Sequence, residues 1–141
     1  MSSLQIGEVA ARTGLSLRTI RYYDEMGLVV PSERTPGGFR LYAEAEVARL
    51  ELIMQMKPLG FTLDQMRDLL GVVDGLRSAA TTPAERVRLT ASLAAYHSDA
   101  VDRVARVRRE LATAEQLAAE LGSMLEVTQG TPTTDDDPPV T

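Results

Sequence analysis

"IGEVAARTGLSLRTIRYYDEMGL", residues 6–28, decides how the rest of the chain is read. Ile6, Val9 and Ala10 recur at i, i+3 and i+4, and Gly14 supplies a helix stop, so the stretch opens with a helix of about two turns. Ser16 then offers a hydroxyl N-cap to a second helix, on which Ile20 and Tyr23 share one side and which Gly27 ends. Two short helices joined by a tight glycine-containing turn make a helix-turn-helix pattern. On a wheel of about 100° per residue, Arg18, Arg21, Tyr22 and Glu25 fall within one arc while Ile20 and Tyr23 lie nearer the opposite side. One side packs and the other is polar. A helix of this length fits a DNA major groove, where arginine can donate two hydrogen bonds to guanine and tyrosine can reach a phosphate or a base methyl.

The next segment, "SERTPGGFRLY" at 32–42, places Pro36, Gly37 and Gly38 at a turn and alternates side chains from Phe39 to Tyr42. It reads as a small β-hairpin, or wing. Arg40 and Tyr42 on this wing suit backbone or minor-groove contacts that set register on DNA. From Ala43 to Lys57 the apolar positions Val47, Leu50, Ile53 and Met54 recur at helical spacing, and Pro58 to Gly60 closes that helix. Thr62 and Gln65 form a capping box for a fourth helix with Leu63, Met66, Leu69, Leu70 and Val73 on its apolar face.

After a short connector, "TPAE" puts Thr82 at an N-cap, Pro83 at the first helical position and Glu85 three after the cap. No glycine or proline then occurs until Gly122. Leu93, His97, Ala100, Val104, Val107, Leu111, Ala114, Ala118, Leu121 and Leu125 alternate steps of four and three, a heptad seam of more than four repeats. A helix over 83–126 would be about 65 Å long, more than a small domain can cover, so the seam predicts a homodimer held by a coiled coil. The alanines in the seam permit close approach and favour an antiparallel pairing. The organisation expected is a DNA-binding domain at 1–75, a linker at 76–81, a dimerisation helix at 82–127 and a disordered acidic tail at 128–141.

Composition narrows the chemistry. The 141 residues carry a net charge of −5, which argues against a general nucleic-acid binder, yet arginines gather in the first 42 residues and an aspartate run lies at 135–137. The chain has no cysteine and one histidine, His97, so disulfides, thiolate metal sites and zinc fingers are excluded and no cofactor is expected. No apolar run reaches the roughly 20 residues that span a bilayer, and no leader pattern opens the chain, so a cytoplasmic location is expected. Paired carboxylates, a nucleophile with its histidine and a phosphate loop are all missing, so an enzyme is not expected.

The stretch 4–42 together with "LGFTLDQMRDLL" at 59–70 closely resembles the DNA-binding domain of the MerR (mercury-resistance regulator) family, without a gap from residue 4 to about 73. The resemblance implies a mainly α fold, a winged helix-turn-helix followed by a long dimerisation helix. It implies DNA contacts from Ser16, Arg18, Thr19, Arg21, Tyr22 and Tyr23 on and before the recognition helix, from Arg34, Phe39, Arg40 and Tyr42 in the first wing, and from Lys57 in a second. It also implies double-stranded palindromic promoter DNA and RNA polymerase as partners, with promoter distortion as the mode of action. Phe39 stands where many members have tyrosine, and Pro58 where a basic or polar residue is common. Without cysteines, the family's usual metal and redox sensing is disfavoured, which leaves a small organic effector or none. The competing expectation is a coiled-coil interaction protein whose helix-turn-helix docks a protein partner.

Overall fold

The computed structural model describes residues 3–130 and divides into a first compact unit through Ala100 and a second from Val101. The first unit begins with a two-residue strand β1 (Leu4–Gln5), then α1 (Ile6–Thr13) and α2 (Leu17–Glu25). The wing follows as β2 (Glu33–Arg34) and β3 (Arg40–Tyr42). Helix α3 (Glu44–Met56) runs into a single 3-10 turn at Lys57–Leu59, and α4 (Leu63–Arg77) and α5 (Pro83–Gln129) complete the described chain.

Local chemistry explains each boundary. Gly14 ends α1 in the left-handed region at φ 78, its N–H bonded to the Ala10 carbonyl at 2.8 Å. The Ser16 hydroxyl accepts from the Thr19 N–H at 3.1 Å, which fixes where α2 starts. At α3 the Glu46 carboxylate accepts from the Ala43 N–H at 2.7 Å. Thr62 and Gln65 make both bonds of their capping box, at 2.9 and 3.1 Å. Thr82 caps α5 by accepting from the Glu85 N–H.

The sheet has strand order β1-β3-β2, both ladders antiparallel, with Leu4 opposite Tyr42 and Arg34 opposite Arg40. Strand β1 was not anticipated from the sequence. Val9 of α1, Ile20 and Tyr23 of α2, Tyr42 of β3 and Val47, Leu50 and Ile53 of α3 form one buried cluster, joined by Met66, Leu69 and Leu70 of α4. This cluster burial is the main stabilising term available to the unit.

Two expected boundaries shift. Helix α4 runs on to Arg77, into what was read as linker, because Arg86 of α5 donates to the Leu76 and Ser78 carbonyls and satisfies the helix end. Helix α5 continues to Gln129, two residues into the expected tail, passing through Gly122 without a break. The rest of the expected tail, from 131, lies outside the described residues. In the second unit the helix exposes its seam residues Val104, Val107, Leu111, Leu121 and Leu125.

Within the first unit Tyr96 of α5 donates its hydroxyl to Asp68 of α4. Burial, and then that bond, push the tyrosine up to about 12. A hydroxyl whose pKa is raised on folding stabilises the fold below its ordinary value near 10, and the contribution is lost as pH rises through about 12. Denaturant unfolding of the wild type should therefore weaken over that window, and Tyr96→Phe should be less stable at neutral pH but flatter against alkaline pH. An equally steep alkaline loss in Tyr96→Phe would assign the effect to other groups.

Candidate nucleic-acid interface

Helix α2 is sorted cleanly by face. Ile20 is fully buried and Tyr23 is 4% exposed, whereas Arg18, Arg21, Tyr22 and Glu25 are exposed and line a common shallow concavity. Among the described residues Arg18 and Arg21 make no ion pair, so their donors are available to a partner. The Tyr22 ring sits 5.7 Å from that of Tyr23 at 54°, and the buried ring thereby steadies the exposed one. Ser16 and Thr19 share a 2.8 Å hydroxyl contact at the start of the helix, with Ser16 exposed.

In the wing, Gly38 takes φ 82 and its N–H bonds to the Thr35 carbonyl, while the Thr35 N–H bonds back to Phe39. Phe39 is 65% exposed at this tip, an apolar ring held out from the domain. Arg34 is exposed and Arg40 half-buried. Lys57 is exposed at the start of the 3-10 turn, whose Gly60 adopts φ 80.

Tyr23 and Tyr42, both expected among the DNA-contacting residues, are instead core residues. Tyr23 packs where the wheel put it, beside Ile20, and burial raises its pKa. Tyr42 is fully buried because its β3 position faces the helices rather than solvent, and its hydroxyl has no hydrogen-bond partner among the described residues. Burial first, then the charge of Asp24, raises the Tyr42 pKa.

Three residues that the sequence reading passed over organise this region. Asp24, in the last turn of α2, accepts from Arg40 Nε at 2.6 Å and from Arg34 Nη2 at 3.1 Å, both on Oδ2. Arg67 of α4 donates to the Met26 carbonyl at 2.9 Å, and Arg49 of α3 donates to the Leu28 carbonyl and to Asp74. These two arginines tie down the loop that follows α2. An acidic residue in the last turn of a helix, against the helix dipole, was the one available signal for Asp24.

A binding surface with exposed cations on one helix, an aromatic wing tip and a buried opposite face defines a winged helix-turn-helix nucleic-acid-binding domain. The chain belongs to the MerR family: the profile "MerR HTH family regulatory protein" matches residues 4–71 and "MerR, DNA binding" matches residues 47–124.

Among curated relatives, the chain is 49% identical over 70 residues to the mercuric resistance operon regulatory protein of Bacillus cereus, covering 50% of this chain and 53% of the other. It is 31% identical over 123 residues to the nodulation protein NolA of Bradyrhizobium elkanii, covering 87% of this chain and 56% of NolA. The chain thus spans about half the length of these relatives. Among solved structures, a MerR-family transcriptional regulator from Bacillus cereus aligns with TM-score 0.53 at 26% identity, covering 99% of this chain and 88% of that one. The fold is shared with HiNmlR, described as a MerR family regulator lacking the sensor domain, bound to promoter DNA, at TM-score 0.63 and 21% identity over 92% and 97% of the two chains.

No group of histidine, cysteine or acidic side chains among the described residues could hold a metal, and no described helix is long and apolar enough to cross a membrane. An apolar concavity of about 240 Å³ lies between α3, α4 and the start of α5, lined by Leu52, Met56, Phe61, Leu93, Tyr96 and His97 among others.

Because the Tyr42 hydroxyl is desolvated without a partner, Tyr42→Phe should leave stability unchanged or raise it by up to about 1 kcal/mol in thermal or urea unfolding. A clear loss of stability would mean that the hydroxyl is bonded after all.

Proposed function

We propose that the chain is a sequence-specific transcriptional regulator that reads palindromic promoter DNA as a homodimer and acts by distorting the promoter spacer so that RNA polymerase can engage. The observation that carries this reading is the sorting of α2: one face buried, the other presenting Arg18, Arg21 and Tyr22 together, with neither arginine in an ion pair among the described residues. In this reading Arg18, Arg21 and Tyr22 enter the major groove, Ser16, Thr19 and Lys57 contact phosphates, and Arg34, Phe39 and Arg40 form the wing contact.

The dimer is supported by α5. No residue of that helix is buried, although Leu93, Ala100, Val104, Val107, Leu111, Ala114, Ala118, Leu121 and Leu125 repeat at heptad spacing. With His97 they form a stripe whose first turns, at Leu93, His97 and Ala100, border the first unit and whose remainder from Val104 a second copy's stripe covers, antiparallel as the small residues in it allow. Palindromic DNA then follows from two-fold symmetry. For a small organic effector, the apolar concavity beside Tyr96 is the place within one chain.

Gel shifts on promoter fragments across a salt series test the reading. Arg18→Ala should lower operator affinity by about tenfold or more, the worth of one bidentate base contact. Arg40→Ala should weaken binding to all sequences and reduce the salt slope by about one. Leu111→Glu should give a monomer by sizing and abolish operator binding. A wild-type chain that is monomeric, or that binds no palindromic site at low salt, would sink the proposal.

A further inference from the structure

Arg34 and Arg40 sit opposite each other on the wing's ladder, a cross-strand pair of like charges that by itself destabilises a hairpin. Asp24 resolves that conflict from outside the hairpin. Its side chain is only 8% exposed, and its Oδ2 accepts from both guanidiniums, at 2.6 Å from Arg40 and 3.1 Å from Arg34. The residue belongs to the last turn of the recognition helix, where a carboxylate opposes the helix dipole, and its ion pairs among the described residues go to the wing rather than to Arg21 three residues before it. The local cost is compensated only by the wing.

The two arginines are held unequally. Arg40 is bonded through Nε at the shorter distance and its side chain is 22% exposed, whereas Arg34 is bonded through a terminal nitrogen at the longer distance and is 52% exposed. Two guanidiniums against one carboxylate leave one net positive charge on the cluster of Asp24, Arg34 and Arg40.

The geometry points to Asp24 as a positioning residue for DNA recognition: it locks the wing to the recognition helix through Arg40 and holds Arg34 in reserve, to be exchanged for a phosphate when DNA docks. This inference rests on the assignment of α2 and the wing as the DNA interface. Its consequence concerns discrimination rather than raw affinity. With the wing fixed relative to Arg18 and Arg21 of the same helix, phosphate and base contacts form together at an operator, and on random DNA the Asp24–Arg34–Arg40 cluster presents one net charge instead of two. Charge-assisted bonds of this kind set geometry as well as energy.

The test compares Asp24→Asn with the wild type on operator and on random-sequence duplex, over a salt series, with unfolding curves and sizing on both proteins. The substitution keeps shape and removes the charge. Affinity for random DNA should rise, with a salt slope steeper by about one, while the ratio of operator to random affinity falls by about tenfold. Asp24→Glu, which restores the charge, should return the salt slope to the wild-type value. An unchanged ratio in folded Asp24→Asn, or parallel losses on both duplexes, would overturn the positioning role.

A second measurement needs no variant. In the wild-type complex with operator DNA, arginine side-chain NMR should show the Arg40 Nε–H still protected and little shifted, and the Arg34 guanidinium strongly shifted. Release of Arg40 on DNA binding would overturn the proposal even if Asp24→Asn failed to fold. The two levels separate cleanly: if Arg18→Ala and Arg40→Ala bind operator as the wild type does, the interface assignment fails, whereas normal losses in those variants beside an unchanged ratio in Asp24→Asn remove only the role of Asp24.

Discussion

The burial of one face of α2 is the constraint on which the rest of the molecule depends. Ile20 and Tyr23 are locked among Val9, Tyr42, Val47 and Leu50, and a nine-residue helix cannot turn about its axis without exposing them. Truncating a side chain buried to this extent typically costs about 2–5 kcal/mol, more than any surface contact of the helix could offset. The rotational setting of Arg18, Arg21 and Tyr22 is therefore decided in the core, not at the surface where they are exposed. The turn at Gly14, the cap at Ser16 and the arginine bonds to the Met26 and Leu28 carbonyls all serve the same setting from either end.

What could be seen in the sequence divides by the range of the interaction. Caps and stops at Ser16, Thr62, Thr82, Gly14 and Gly60 are contacts between residues a few positions apart, and the residue types alone announce them. The helical periodicity that located α3, α4 and α5 is likewise local. Strand β1 was missed because two residues show no period, and its reason for being extended is Leu41 and Tyr42, nearly forty positions away. Tyr42 was misplaced for a related cause: an aromatic hydroxyl beside arginines on a wing suggests a phosphate contact, and only the register with β1 shows which face it occupies. Tyr23 shows the opposite case, since the wheel had already put it on the packed side.

Asp24 was hidden for a different reason. Its partners lie 10 and 16 residues on, across a turn and a strand, and neither sequence spacing nor propensity connects them. The sequence places Arg34 and Arg40 among the expected wing contacts, and the structure shows one carboxylate already shared between them. Departures from local rules, here an acid at the wrong end of a helix, are where such long-range compensation is to be sought. The profile match at 4–71 spans the buried core, whose residues run from Val9 to Leu70 in the first unit.

Strand β1 carries a practical corollary for handling the protein. Leu4 and Gln5 pair with the inner strand of the wing, so the polypeptide enters the domain alongside the hairpin that bears Arg34, Phe39 and Arg40. Any peptide fused ahead of Ser3 joins the chain next to the strand that pairs with that hairpin. An affinity handle or fluorophore placed there is carried on the edge strand of the wing's own sheet.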